Sequence, residues 1–220
     1  MFRARLLALA LTACPVTAFA HPHVFIEAAV RLIYDGDGRL DGAEVTWTYD
    51  DFYSLLILSD YGMDPDGDGQ LTPQELTQLQ GFDADPDPDF DGRLFLSVKG
   101  QPVALTPPAD FTAALDDGRL VSRHIRRLQE PVDGAQPVDL RVYDPEFYVD
   151  FTMPDAPVID GRDDCSVAAV AGDARAKAAA YREAVDAALA DDALAQEELV
   201  IVDIGAVGAD QARITCGAGA

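Results

Sequence analysis

Residues 23–75 read HVFIEAAVRLIYDGDGRLDGAEVTWTYDDFYSLLILSDYGMDPDGDGQLTPQE, and three local patterns follow one another along them. His23 to Tyr34 alternates apolar and polar residues, the period of a strand with one buried face. Asp35-Gly36-Asp37-Gly38 supplies a tight hairpin turn, and Leu40 to Tyr49 returns as a second strand. The period then changes. Asp50 or Asp51 can cap a helix through FYSLLILSDYG, and that helix runs into an acidic, glycine-punctuated loop. Strands interrupted by a helix–loop–helix place the chain in the α+β class.

The loop at residues 64–75, DPDGDGQLTPQE, matches the twelve-residue calcium loop of an EF-hand at each diagnostic position. Asp64, Asp66 and Asp68 take positions 1, 3 and 5, and Gly69 takes the sharp turn at position 6. Gln70 offers a backbone carbonyl, Thr72 can hold a water, and Glu75 closes the set as the bidentate ligand. Calcium is a hard cation that takes six to eight oxygens, and this spacing wraps them around one point. An acidic surface loop that binds nothing is the plainer alternative; Gly69, Leu71 and the distal Glu75 all argue against it. Thr72 and Pro73 then read as the cap and first residue of the exiting helix.

The whole chain bounds the setting. Residues 1–20 have the form of a signal peptide: Arg3 and Arg5, the apolar run LLALALTA, and Ala18-Phe19-Ala20 as a cleavage site. Leu11-Thr12-Ala13-Cys14 also resembles a lipobox, so a lipoprotein anchored at Cys14 is the alternative; Pro15 is an awkward follower for a lipidated Cys. Export to the periplasm with cleavage after Ala20 is the favoured expectation. The net charge is −23, and residues 1–20 carry two Arg and no acid, which leaves −25 on the remaining 200 residues. Such a surface repels nucleic acid and anionic membranes and attracts cations. Cys165 and Cys216 would then be the remaining cysteines of an exported protein, where a disulfide between them is the expected state.

Further along, strands are expected at 93–98, 101–105, 110–115, 119–128, 138–151, 199–204 and 212–216, with Pro and Gly in the gaps. Residues 83–92 (DADPDPDFDG) imitate half of a second calcium loop, but its frame would end at Phe95 and Val98, so a second EF-hand is rejected. Asp173 to Leu189, DARAKAAAYREAVDAAL, is an Ala-rich helix with Asp173 near its start. The expected organisation is a β-rich, sandwich-like domain over 21–160 with the EF-hand inserted at about 50–82. A C-terminal α/β region over 161–220, closed by the disulfide, would cap it.

A second constellation lies at the expected amino terminus. Cleavage after Ala20 would expose His21-Pro22-His23. A free amine beside the His21 ring can chelate zinc, nickel, cobalt or copper, and His23 falls on the same strand face as His21. Two polar residues at a frayed end are the competing reading. His124, set among Arg119, Arg123, Arg126 and Arg127, reads as structural, since those cations disfavour a metal ion. The Arg cluster itself could pair with acids or dock a partner. Asp50, Asp51, Asp144, Glu146, Tyr148 and Asp150 add oxygen donors with no spacing that selects among them. No nucleophile elbow, phosphate loop or zinc-protease helix is present, so catalysis has no support.

The HPHVFIEA start, VTWTYDDFYS, the DPDGDGQLTPQE loop, YDPEFYVDF and the terminal Cys pair together resemble an uncharacterised bacterial periplasmic family. It is catalogued as the domain of unknown function numbered one thousand and seven and described as a periplasmic component of an ABC-type transport system. The resemblance covers essentially the whole mature chain. It implies association with nickel/cobalt-type divalent-metal transport, with His21 and His23 as transition-metal ligands and an inner-membrane transporter as partner. A mature chain of 200 residues without two large lobes does not look like a solute-binding protein that closes around its ligand, and an accessory role fits better. The expected function is therefore a periplasmic metal-binding accessory protein carrying a structural calcium loop. The alternative is a calcium-binding structural or sensory adaptor with no transition-metal role.

Overall fold

A computed structural model describes residues 22–85, 90–190 and 201–217. The protein is β-rich, with two sheets and three helices among these residues. Strands β1 (Val24–Tyr34) and β2 (Leu40–Tyr49) form the antiparallel hairpin around the 35–38 turn. Along β1 the alternation is complete: Val24, Ile26, Ala28, Val30, Leu32 and Tyr34 are buried, and Phe25, Glu27, Ala29 and Arg31 face outward. The first sheet adds β5 (Ala109–Asp116), β6 (Arg119–Val132), β8 (Val149–Thr152) and β9 (Val158–Asp160). Its order is β5-β6-β2-β1-β8, and β9 also pairs with β1. Both β8 and β9 run parallel to β1, so Val24 lies beside Val149.

The second sheet has the order β10-β11-β7-β3-β4, built from β3 (Leu94–Val98), β4 (Gln101–Pro102), β7 (Val138–Val142), β10 (Cys165–Val170) and β11 (Asp210–Cys216). Leu94, Leu96, Leu140, Val142 and Ile214 from this sheet join Val24, Leu32, Val45 and Trp47 from the first in one hydrophobic core. Residues 103–106 pass between the sheets: Val103 N–H donates to Leu96 O at 2.9 Å, and Thr106 N–H donates to Arg127 O at 2.8 Å.

Between β2 and β3 stand α1 (Asp51–Asp60) and α2 (Pro73–Leu79). Asp50 caps α1 by accepting from Tyr53 N–H at 2.8 Å. Ser54 is buried because its hydroxyl accepts the N–H of Leu120 at the start of β6, 2.9 Å away. Thr72 and Glu75 form a reciprocal capping box, with Pro73 in the first turn. Helix α3 (Ala174–Leu189) is capped by Asp173, whose carboxylate accepts from Arg175 N–H and Ala176 N–H.

Three strand expectations are corrected. Residues 138–151 are two strands in different sheets, not one. At Asp144-Pro145 the chain turns: Asp144 accepts the N–H groups of Glu146, Tyr148 and Val149, and Phe147 adopts a positive φ of 54°. Residues 101–105 pair as a strand only at Gln101–Pro102, because the chain then leaves for the other sheet. Residues 201–204 are irregular, with Ile204 N–H donating to Pro145 O at 2.7 Å; 199 and 200 lie outside the described residues. Beyond residue 160, β10 and β11 extend the second sheet through the pairing of β11 with β7.

Candidate metal centres

The acidic loop folds around its first carboxylate. Asp64 has a positive φ of 52°, and its two carboxylate oxygens accept from Asp68 N–H at 3.0 Å and Gly69 N–H at 3.1 Å. Gly67 and Gly69 have φ of 69° and 75°, the left-handed region that glycine enters without a Cβ penalty. Asp64, Asp66 and Asp68 each offer an oxygen within 4.8 Å of the others. Glu75 fastens the two ends of the loop together. Its Oε1 accepts from Asp64 N–H at 3.1 Å, and its Oε2 accepts from Thr72 N–H at 2.8 Å and the Thr72 hydroxyl at 2.7 Å. Those Thr72 contacts hold the Glu75 carboxyl below its ordinary range, so it stays ionised. Asp66, Asp68, Gln70, Thr72 and Glu75 line one open hollow of about 570 Å³. Hard anionic oxygens and carbonyls in a loop of this size are a donor set suited to calcium.

Pairing of β1 with β8 positions His23. Its N–H donates to Tyr148 O at 2.9 Å, and its exposed ring lies 4.9 Å from the Tyr148 ring. Two residues on, Phe25 N–H donates to Asp50 Oδ2 at 2.9 Å, which ties the start of β1 to the cap of α1. His21 and Cys14 lie outside the described residues. Three of the other oxygen donors already have structural partners. Asp50 caps α1; buried Asp144 pairs with Arg93 at 3.2 Å; Asp150 pairs with Lys177 at 2.5 Å. Asp87 and Asp89 are outside the described residues, and Asp91 accepts from Arg93 N–H at 2.8 Å.

Cys165 and Cys216 form a disulfide between directly opposed residues of β10 and β11. Asp164, Cys165 and Cys216 lie close together, but bonded sulfurs have no thiolate to offer a metal. The cross-link marks an oxidising, non-cytoplasmic compartment. No helix among the described residues is long and apolar enough to cross a membrane.

His124 is 0% exposed, edge-on to Trp47 at 4.9 Å and facing Phe111 at 5.6 Å. Burial, with Arg126 adding to it, lowers its pKa to about 4. Strand alternation divides the Arg cluster. Arg119, Arg123 and Arg127 pair with Glu27, Glu44 and Asp41, while Arg126 is buried with Ser122 and His124. Outside the strand, Asp83 accepts from the Tyr49 hydroxyl at 2.9 Å, and burial raises its carboxyl above the ordinary range. Linear sequence reading missed this inner row; strict alternation along Leu120-Ser122-His124-Arg126-Leu128 was the signal that could have found it.

Residues 6–216 match the family described as Protein of unknown function (DUF1007). The chain belongs to that family. In this DUF1007 chain the match spans both sheets, the helix–loop–helix and the disulfide. No curated protein matches it, and no solved structure does.

Proposed function

We propose that this DUF1007 protein is a periplasmic accessory component of a divalent transition-metal transport system, with residues 64–75 acting as a structural EF-hand calcium site. The observation that supports the proposal furthest is the acidic loop itself: three Asp oxygens within 4.8 Å and Glu75 clasping both loop ends. Asp64, Asp66, Asp68, Gln70, Thr72 and Glu75 would hold the ion. Leu71, in the loop, packs partly against the core, as does Met63 before it. Filling the loop would therefore stiffen the α1–α2 insertion where it meets the sheets. The two sheets, sharing one core, are read as a sandwich.

The transition-metal half rests on His21-Pro22-His23 and on the family resemblance. Its support from the fold is that His23 is hydrogen-bonded to Tyr148 just before β1 and still exposed. Zinc, nickel, cobalt or copper would suit such nitrogens. Helix α1 leaves Phe52 75% and Leu55 66% exposed, which suits docking on an inner-membrane transporter. The same apolar face favours the second reading, a calcium-ordered adaptor with no transition-metal role.

Calorimetric titration separates the two. Nickel and zinc should bind the protein and lose most of their affinity in His21→Ala plus His23→Ala; equal affinity in both forms would leave only the adaptor. Calcium should raise the melting temperature, and Glu75→Gln should abolish most of that rise. A calcium-independent melting curve in the parent protein would sink the structural-site reading.

A further inference from the structure

The outer face of the second sheet carries a groove of about 810 Å³ that neither candidate metal centre uses. Its floor comes from strand register. Phe95 on β3 pairs with Arg141 on β7, Arg141 with Gln211 on β11, and Gln211 with Val170 on β10. The adjacent row runs Ser97, Asp139, Arg213, Ala168 in the same way. Directly opposed residues share a sheet face, so both rows project together, away from the core-facing Leu96, Leu140 and Ile214.

The charges in this groove depart from the rest of the molecule. The chain has 39 acids against 16 Lys and Arg, so a guanidinium should find a carboxylate easily. Arg213 does, on Asp139 at 2.8 Å. Arg141 bonds only the amide oxygen of Gln211, at 3.2 and 3.4 Å, and forms no ion pair among the described residues. Arg126 also lines the groove, 5% exposed, and its bonds go to the carbonyls of Asp91, Leu94 and Thr106. Arg126 reaches the groove from the core side, at the β3 backbone where it bonds the Leu94 carbonyl. The Asp91 carboxylate also acts on Arg126 but is shared with Arg93, so Arg141 and Arg126 together leave a net attractive potential for an anion. Beside these charges, Phe95 and Tyr143 stack at 4.1 Å with ring planes 22° apart. The volume lies in the range of small-molecule sites, and an apolar wall with few convergent polar groups is their usual make-up.

We propose that this groove binds a small organic anion, a dicarboxylate with a planar apolar body. Its carboxylates meet Arg141 and Arg126, and its ring lies against Phe95 and Tyr143. The site stands independently of the calcium loop and the amino-terminal histidines.

The test is NMR titration of the calcium-saturated protein with isophthalate, with succinate as the ringless anion and benzylammonium as the charge-reversed ring. Saturable isophthalate shifts should concentrate on the amides of Phe95, Arg141, Tyr143 and Gln211. Succinate should bind more weakly, and benzylammonium not at all. Arg141→Gln is exposed and keeps the fold, and it should weaken isophthalate about 10-fold or more, as loss of a charge-assisted contact does. Tyr143→Ala should weaken isophthalate while leaving succinate nearly unchanged. Absent or scattered shifts, or equal affinity in Arg141→Gln, would overturn the assignment. A hexaglutamate peptide that binds more tightly than isophthalate would overturn it in favour of a polypeptide ligand.

Discussion

His124 shows how much one residue's neighbourhood decides. In the sequence it stands among four Arg; in the fold its nearest described ring partners are Trp47 and Phe111. Its folded pKa of about 4 lies below the 6.5 of an ordinary imidazole, so the unfolded chain takes up the proton first. Stability held by the neutral ring is complete above pH 6.5 and is lost as pH falls from there toward 4. That loss amounts to about 3 kcal/mol by the linkage between pKa and folding. Asp83, with its raised carboxyl, works in the opposite sense, so the comparison must be made against a variant. Chemical denaturation of the parent and of His124→Leu at pH 4 and pH 7 isolates the ring's share. The parent should lose about 3 kcal/mol more than the variant on acidification; parallel losses would contradict this account.

Among the elements, α3 is tied to the first sheet by a buried pair. Lys177 is 6% exposed, and its ammonium donates to Asp150 Oδ1 at 2.5 Å and Phe151 O at 2.9 Å. Around it Tyr181 packs on Phe147 and Val202 in a small separate cluster. Removing one partner of a buried ion pair leaves the other charge uncompensated, at a cost of about 3–5 kcal/mol. Lys177→Met should therefore be strongly destabilising, and adding Asp150→Leu should restore much of the loss, since paired apolar replacements are tolerated. If the double variant is no more stable than the single one, the pair is not what seats the helix. The helix–loop–helix attaches differently, through Ser54 on β6 and fully buried Leu79 in the core.

At the scale of the molecule, the Cys165–Cys216 bond closes a segment with a sequence separation of 51 that contains α3. In the chain-entropy description a loop of this length contributes about 4 kcal/mol by restricting the unfolded state. Melting with and without dithiothreitol should show that loss, and Cys165→Ala plus Cys216→Ala should match the reduced protein. An unchanged melting temperature after verified reduction would refute a stabilising role for the cross-link.

Local signals carried much of the design. The alternation of residues 24–34, the Thr72–Glu75 capping box, Asp173 at the start of α3 and the Cys165–Cys216 pairing were legible in the sequence. Each depends on neighbours within a turn or a strand, or on there being one pair of cysteines after residue 20. The turn at Asp144-Pro145 was misread as continuous strand, because apolar residues on both sides masked a carboxylate that folds the backbone onto itself. What the tertiary structure alone decided was adjacency: β8 lying parallel to β1, so that His23 meets Tyr148, and four strands in register, so that Phe95, Arg141, Gln211 and Val170 share one groove. Long-range pairing is fixed by which apolar faces bury one another, and the linear order of residues holds no local mark of that choice.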